Sequence, residues 1–364
     1  LAAVTIPDTV TEIGQDAFSG CTGLTSIKLP KNLKTLGGDA FRDCTGLTSV
    51  LIPKTVESIH TYSNGFFCPF RGCDNLQEVK FEDGMTRIPN LILGFCGAKL
   101  NIVIPDSVTE IGGYAFLNSG IVAVTIPDTV TEIEEDAFSG CTGLTDVKLP
   151  KNLKTLERDA FRGCTGLTSV LIPKTVENTH YYYDGIYSPF RGCNNLQEVK
   201  FEDGMTRIPN SILCFCAAKL NIVIPDSVTE IGEAAFLNSG IVAVTIPDAV
   251  TEIEEDAFRG CTGLTDIKLP DSVVNIGTKI FANCTSLTDV TLPNAWELIP
   301  ASTFEGCTAL EKLVLPESVQ YIRDGAFKNC TALKEIVWSK APELIDSNAF
   351  YNCDAITEMD IPAT

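Results

Sequence analysis

The chain repeats one pattern of apolar and polar positions over almost its whole length, with a period of about 23 residues. In residues 24–46 the pattern opens with LTSIKLP, whose apolar and polar residues alternate. Alternation favours a short strand, because successive side chains of a strand point to opposite faces. A second apolar pair follows at Leu33 and Leu36, and then come Ala40-Phe41 and Cys44. A fixed period of this size predicts a solenoid whose coils stack on one another.

The order of elements within a coil predicts the architecture. Pro30 ends the first strand, because proline has no N–H to give to a strand ladder. Strands of successive coils run in the same direction and therefore stack in parallel on a concave face. The segment GQDAFSGC (residues 14–21) predicts a short helical turn on the convex side, with Phe18 as its buried anchor. The sequence thus predicts an α/β repeat solenoid of leucine-rich-repeat type, a curved right-handed superhelix with a parallel concave sheet and short helical or irregular convex segments.

The repeats also predict the domain organisation. A chain of 364 residues would ordinarily suggest two or three domains, but a solenoid grows without dividing its core. We therefore expect one solenoid of about 15 coils over residues 1–364. Residues 1–120 and 121–240 are near copies, each a block of five coils, whereas the coils of residues 241–364 have diverged. Because both ends fall inside a repeat, we expect the chain to be a fragment from which a signal and an anchor are missing.

Charge narrows the range of partners. The formal net charge is −20 and the pI is about 4.5. Such a surface repels phosphate backbones, so we expect no nucleic acid partner. No run approaches the roughly 20 apolar residues of a membrane span, so we expect no span in this fragment.

Cysteine placement favours buried thiols over a disulfide framework. Of the 15 cysteines, all but Cys68 and Cys214 occupy one slot, three residues after the Phe or Leu of each coil. One cysteine per coil at the same corner predicts a stacked ladder of small, free side chains. Ser119 and Ser239 occupy the same slot in two coils and cannot form disulfides. Cys68 and Cys214 have no predicted role.

Coils such as VTIPDTVTEIGQDAFSGC (residues 4–21) resemble the BspA-type (Treponema-type) leucine-rich repeat, and the resemblance covers essentially the whole chain. Members of that family are surface or secreted proteins of anaerobic bacteria, and several are adhesins that bind host matrix proteins or other bacteria. The resemblance implies an extracellular or cell-surface protein of an anaerobic bacterium that binds host or bacterial proteins or glycans. It supplies no binding residues, because the family has no shared site motif.

Two coils, at Leu47 and Leu167, carry six extra residues each, and insertions in repeat proteins often form binding loops. Both inserts are rich in aromatic residues, which suit partner binding when they are exposed. Alternatively, these side chains fold back and fill the gap that the insert opens in the core. The candidate ligand-binding residues are His60, Tyr62, Phe66 and Phe67 in the first insert, and His180, Tyr181, Tyr182, Tyr183 and Tyr187 in the second.

A second candidate surface is the outward face of the first strands, since solenoids commonly bind partners on their concave face. The alternation places a lysine outward in five coils. Either these lysines contact a ligand, or they are solvated surface charges, and all but Lys28 pair with the acidic residue two positions earlier (Glu78, Asp146, Glu198 and Asp266). The lysines are Lys28, Lys80, Lys148, Lys200 and Lys268.

Catalytic and metal-binding patterns are weak. The chain has two histidines, each in an insert, without the nucleophile or ligand spacing that catalysis or a metal site requires. We therefore expect a non-enzymatic protein with no cofactor and no metal. The leading hypothesis is an adhesin, and the alternative is a structural spacer or surface-layer element without a tight ligand. A third hypothesis is an inhibitor or receptor-like module for a protein or glycan.

Overall fold

A computed structural model of the chain describes residues 2–60, 67–177, 179, 187–359 and 361–362. Two compact units can be distinguished, residues 1–180 with 188–196 and residues 181–187 with 197–364. Each unit is a parallel-strand solenoid of the predicted repeat type. That the chain forms one uninterrupted solenoid stays a prediction. In most coils a front strand, formed by the LTSIKLP-type segment, precedes a shorter side strand at the second apolar pair.

In the first unit, parallel pairing aligns equivalent residues of successive coils. Val4 pairs with Ile27 on the front face, and Ile13 pairs with Leu36 on the side face. The front strands are β1 Ala3–Thr5, β3 Ser26–Lys28, β5 Ser49–Ile52, β7 Glu78–Phe81, β9 Asn101–Val103, β11 Ala123–Thr125 and β14 Ser169–Ile172. The side strands are β2 Glu12–Ile13, β4 Thr35–Gly37, β6 Ser58–His60, β8 Arg87–Ile88, β10 Glu110–Ile111, β12 Glu132–Ile133 and β13 Thr155–Leu156.

The second unit repeats the arrangement, with Ile222 paired with Val244 on the front face and Ile231 with Ile253 on the side face. Its front strands are β15 Glu198–Phe201, β17 Asn221–Val223, β19 Ala243–Thr245, β21 Asp266–Lys268, β23 Asp289–Thr291, β25 Lys312–Val314 and β27 Glu335–Val337. Its side strands are β16 Arg207–Ile208, β18 Glu230–Ile231, β20 Glu252–Ile253, β22 Asn275–Ile276, β24 Leu298–Ile299, β26 Tyr321–Ile322 and β28 Leu344–Ile345.

The repeated phenylalanines form stacks in the core of each unit, as their period predicts. In the first unit, the Phe138 ring centroid lies 5.0 Å from that of Phe116 and 5.0 Å from that of Phe161. In the second, Phe258 lies 5.2 Å from Phe236 and 5.7 Å from Phe281. Each fully buried ring removes enough apolar surface from water to stabilise the fold by about 2–3 kcal/mol. A single coil cannot provide this burial, which is why the coils fold together.

The predicted helical turns on the convex side are wrong. The described part of the chain contains no helix, and the segment around each phenylalanine is a series of tight turns. Its N–H groups alternate between two directions. The Ser19 N–H donates to Asp16 O within the coil at 3.0 Å, whereas the Phe18 N–H donates to Ala40 O of the next coil at 2.7 Å. A helix would direct every N–H within its own coil, so stacking and helix formation are incompatible here.

Positive φ angles on both sides of the phenylalanine also prevent a helix. Asp16 has φ of 55° and Gly20 has φ of 71°. The Gly20 slot is positive in the other described coils, and the Asp16 slot is positive in most of them. Asp, Asn and Gly adopt this left-handed conformation most readily. Gly84 and Gly204, each at the end of an FEDG turn that follows a front strand, also have positive φ.

The cysteine ladder is confirmed within each unit, and it makes specific hydrogen bonds. All 15 cysteines are free thiols, and of the 13 in the ladder only Cys21 is not buried. The Cys44 thiol donates to Phe18 O at 3.1 Å, and the Cys164 thiol donates to Phe138 O at 3.0 Å. The slot therefore suits a small side chain that fills core space and donates a hydrogen bond to the preceding coil.

Candidate functional site

The front face of each unit presents a row of outward side chains, and we call it the front row. In the first unit it includes Lys28, Leu51, Lys80 and Val103, which alternate with buried residues such as Val79. Pairing brings neighbours of the row side by side, because Leu51 is the register partner of Lys80. Adjacent parallel strands lie about 4.8 Å apart, so the row is a continuous surface within each unit.

Exposed apolar side chains concentrate on the front row. Among the described residues, ten large apolar side chains are exposed, and five of them belong to this row. Val103 is 65% exposed and Val223 is 68% exposed. The others in the row are Leu51, Leu171 and Val314. Isolated exposed apolar residues are ordinary, whereas a concentration on one face marks an interaction surface.

The five predicted lysines are all exposed on the front face, but their surroundings differ. The Lys80 ammonium pairs with Glu78 at 2.6 Å, and Lys200 pairs with Glu198 at 2.7 Å. Lys28, Lys148 and Lys268 have no ion pair with any described residue. The predicted acidic partners thus engage two of the lysines. The ammonium groups of the other three are available to a ligand.

A shallow groove crosses the front row of the first unit. It has a volume of about 510 Å³ and is lined by Leu51, Glu78, Lys80, Asn101 and Val103, with Glu82 and Asp83 beside them. Two exposed apolar side chains therefore flank an ion pair, with further carboxylates at the rim. The alternation of the repeat already predicts that Leu51 and Val103 point outward, although only the lysines of this row are among the candidate ligand-binding residues predicted from the sequence.

The predicted insert residues fall largely outside the described part of the chain. Tyr62, Phe66, His180, Tyr181, Tyr182 and Tyr183 are not described, and His60 is described only as the backbone end of β6. Phe67 and Tyr187 are half-buried. Phe67 packs closely on Gly38 of the preceding coil, where a β-carbon would lie 2.5 Å from the Phe67 Cβ. This contact fits the alternative in which an insert side chain packs against the core.

The side faces carry ion-pair clusters that recur at equivalent positions of the two blocks. The Arg87 guanidinium bridges Glu110 and Glu134, with the Glu134 contact at 2.5 Å. Arg207 likewise bridges Glu230 and Glu254, with the Glu254 contact at 2.9 Å. These clusters join side strands of successive coils and neutralise part of the acidic surface.

No group of three His, Cys, Asp or Glu side chains among the described residues could hold a metal ion. Nor does this part of the chain contain a helix with the length and hydropathy required to cross a bilayer.

The repeat family follows from this architecture and from comparison with known proteins. The family model of the BspA-type leucine-rich repeat region matches in six copies, over residues 1–121, 66–184, 109–242, 184–265 and 251–364. The chain belongs to this family, whose leucine-rich repeats are protein-binding scaffolds. A search of curated proteins found no match.

The chain is similar to solved leucine-rich repeat structures. A leucine-rich repeat protein from Bacteroides ovatus is 28% identical, with a TM-score of 0.71 over 98% of this chain and 86% of that chain. A leucine-rich cell surface protein from Faecalibacterium prausnitzii is 25% identical over 100% of this chain and 80% of that chain, with a TM-score of 0.40. A leucine-rich repeat protein from Eubacterium ventriosum is 19% identical over 94% and 80%, with a TM-score of 0.45.

Proposed function

We propose that this chain is a non-enzymatic adhesive scaffold, which binds host or bacterial proteins or glycans at the surface of an anaerobic bacterium or after secretion. Family membership supports the scaffold role, because BspA-type repeats are protein-binding modules. Free buried thiols suit an anaerobic environment, where no oxidant would convert them to disulfides. The surface location and the adhesive role belong to the proposal.

The observation that carries the proposal is the exposed apolar row on the front face. Leu51 and Val103 are 52% and 65% exposed, and both line the front groove beside Lys80. A spacer without ligand has no reason to expose such side chains on one face, since Thr5 and Thr125 fill equivalent positions with a polar residue. Burying two apolar side chains of this size in an interface contributes roughly 2–4 kcal/mol to binding.

The test is a binding screen on immobilised collagen, laminin and mucin glycans, read by surface plasmon resonance. The intact chain is compared with the double variant Leu51→Thr/Val103→Thr, which uses the residue already present at this position in four other coils. Tyr351→Ser is the matched control, because it removes an exposed apolar side chain that lies outside the front row. A further variant lacks residues 61–66 and 181–186, and it tests the inserts.

We expect the intact chain to bind at least one of these surfaces, and we expect the threonine double variant to bind at least tenfold more weakly. Tyr351→Ser should bind like the intact chain. If the insert deletion alone abolishes binding, the inserts rather than the front row hold the ligand. If the intact chain binds none of the surfaces at micromolar concentration, the spacer hypothesis gains and the adhesin proposal loses its support.

A further inference from the structure

The side strands of the second unit form two separate ladders instead of one. One ladder has the order β16-β18-β20-β22 and the next has the order β24-β26-β28, so β22 and β24 are not paired. Within each ladder, the residue after the side-strand isoleucine donates its N–H to the preceding coil. The Gly277 N–H donates to Ile253 O at 2.8 Å, and the Arg323 N–H donates to Ile299 O at 3.0 Å. We call the interruption between Asn275–Ile276 and Leu298–Ile299 the strand break.

Pro300 is one cause of the strand break. It occupies the position that Gly277 and Arg323 hold in the neighbouring coils, and proline has no N–H to donate. Ile276 O therefore receives no backbone hydrogen bond from the next coil. The coil length is unchanged at this point, so the break does not come from an insertion.

Trp296 is the second cause. The two preceding coils and the following coil have valine in the same slot, at Val250, Val273 and Val319. The Trp296 indole is only 3% exposed, and its Nε1–H donates to Val273 O at 2.9 Å. A ring of this size is much larger than the valine of the neighbouring coils, and a packed core accommodates extra volume only by shifting the side chains and backbone around it.

Backbone carbonyl groups at the strand break lack the hydrogen bonds from other described residues that equivalent groups accept elsewhere in the ladder. In the intact joint before it, Thr251 O accepts from the Val274 N–H at 3.1 Å and from the Asn275 N–H at 3.0 Å. Val274 O is the equivalent acceptor in the next coil, and it receives no such pair from the described chain. The free edge of β22 thus presents two carbonyl acceptors, at Val274 and Ile276, on the protein surface.

An open groove lies at the strand break, with a volume of about 790 Å³. Its apolar lining includes Val274, which is 59% exposed, and Ile276, which is half-buried. In the adjacent coils Ile253 and Ile299 occupy the Ile276 slot and are fully buried. The groove therefore exposes side chains that the repeat normally keeps in the core.

Carboxylates surround this groove. Glu252, Glu254, Glu255 and Glu297 all line it. Two of them have a cationic partner, since Lys279 pairs with Glu255 at 2.8 Å and Arg207 pairs with Glu254 at 2.9 Å. Glu252 and Glu297 have no ion pair within the described ranges. The remaining charge of the groove is therefore negative, and it favours a cationic occupant.

We propose that the strand break is the docking site of an extended, lysine- or arginine-rich segment of a protein partner. The segment adds to the free edge of β22 and donates its N–H groups to Val274 O and Ile276 O, as peptides do when they extend a sheet. Its cationic side chains lie near Glu252 and Glu297, and its apolar side chains cover Val274 and Ile276. This inference rests on the proposed scaffold function, for which it names a site and a class of partner.

The probe is a fluorescein-labelled nine-residue peptide in which lysine alternates with valine and threonine, and fluorescence anisotropy measures its affinity for the intact chain. Glu252→Gln/Glu297→Gln removes the two unpaired carboxylates. Glu12→Gln/Glu132→Gln is the matched control, because both residues hold the Glu252 slot of their coils but do not line the groove. A peptide of the same sequence with N-methylated valines keeps the charge but loses backbone donors.

We expect the peptide to bind the intact chain and the control variant equally, and the Glu252/Glu297 variant at least tenfold more weakly. The N-methylated peptide should bind at least tenfold more weakly as well. Equal binding of both peptides would reduce the interaction to charge attraction and overturn strand addition. Absence of binding at 100 μM peptide would overturn the proposal altogether.

A second variant tests the break itself. Trp296→Val/Pro300→Glu restores the residues that stand at these slots in the coil of Val250 and Glu254, and we expect it to close the groove and abolish peptide binding. Undiminished binding would show that the peptide does not bind at the strand break. If this variant does not fold, the Glu252→Gln/Glu297→Gln variant still tests the proposal. If the peptide does not bind while the intact chain binds a matrix surface through the front row, only the proposal of a docking site at the strand break is contradicted. If both bindings fail, the scaffold function falls too.

Discussion

The thiol of Cys68 packs directly on the backbone of Gly94 in the neighbouring coil, so that a β-carbon at position 94 would overlap the Sγ atom. Cys68 is fully buried, and burial raises the pKa of its thiol to about 12. The second block has Ser188 and Cys214 at the corresponding positions, and both are buried. The thiol therefore comes from the first of these two positions in one block and from the second position in the other block. This accounts for Cys68 and Cys214, the two cysteines that lie outside the ladder.

The exchange predicts a compensating pair of substitutions. Gly94→Cys should lower the free energy of unfolding by about 1–3 kcal/mol, because the added side chain overlaps Cys68 in a packed core. Adding Cys68→Ser reproduces the combination of the second block and should recover at least half of the loss. Urea denaturation in reducing buffer, which prevents a disulfide between the two thiols, measures both variants.

The control for this pair is Cys68→Ser alone, which relieves no clash and should cost little. A double variant that is no more stable than Gly94→Cys would contradict the compensation. Its two sites would then act independently, as distant positions do.

Much of the fold could be predicted from the repeat because each slot has one environment. The period places Phe138 between Phe116 and Phe161, and the alternation around Lys80 directs Val79 inward. These predictions need only the rule that equivalent residues of stacked coils meet. The exposed lysines of the front face follow from the same rule.

Other features depend on bonds between coils, which a single repeat does not reveal. The sequence predicts a short helical turn around Phe18, yet the Phe18 N–H bonds to the next coil and no helix forms there. Trp296 and Pro300 are visible in the sequence, but their effect appears only against Val273 and Ile276 of the preceding coil. The front groove likewise requires the register that sets Leu51 beside Lys80.

The coil that begins at residues 99–100 is one residue shorter than the 23-residue period. Its first core residue likewise depends on how it pairs with the next coil. The register aligns Asn101 with Ala123, so Lys99 stands level with the first-slot residue Ile121. Leu100 is nevertheless buried, and Lys99 is exposed. The coil thus keeps its strand register, but Leu100 rather than Lys99 fills the core.

Removal of one ring from the phenylalanine stack should be costly. Phe161 is fully buried, and its centroid lies 5.0 Å from Phe138 and 5.6 Å from Phe190. Phe161→Ala leaves a cavity between two rings and should destabilise the chain by about 3–5 kcal/mol. Phe18→Ala is the control, because Phe18 is only half-buried, and it should cost clearly less. Among the described residues, Phe18 stacks on one ring only, Phe41, so equal losses in urea denaturation would show that the second stacked neighbour of Phe161 adds no stability.

The cysteine ladder should be almost inert to thiol reagents. Burial raises the pKa of Cys44 and of Cys96 to about 11, so at pH 8 about one in a thousand of these thiols is ionised and reactive. Cys21 is the one cysteine that is not buried. We expect one fast equivalent with a disulfide reagent on the native chain and 15 after denaturation. Cys21→Ser should remove the fast phase, whereas several fast thiols would contradict a closed ladder.

Asp39 should make stability depend on pH. It is 1% exposed with φ of 56°, its Oδ1 has no hydrogen-bond partner, and Arg42 reaches only the other oxygen, at 3.5 Å. Burial raises the pKa of this carboxyl above its ordinary value of 3.8. Because the pKa is higher in the folded chain than in the unfolded chain, the free energy of unfolding falls as pH rises through the folded-state pKa. The buried carboxyl must then ionise without water around it.

Asp39→Asn removes this charge and keeps a residue that accepts positive φ, as Asn348 does in the same slot of a later coil. We expect the variant to be more stable than the native sequence by about 1 kcal/mol at pH 7.5. The gain should shrink as pH falls and vanish below the ordinary pKa of 3.8. Asp16→Asn is the control, since Asp16 has φ of 55° in the same slot but is exposed; it should change stability little at either pH. A pH-independent gain for Asp39→Asn in thermal denaturation would assign the effect to the backbone rather than to the buried charge.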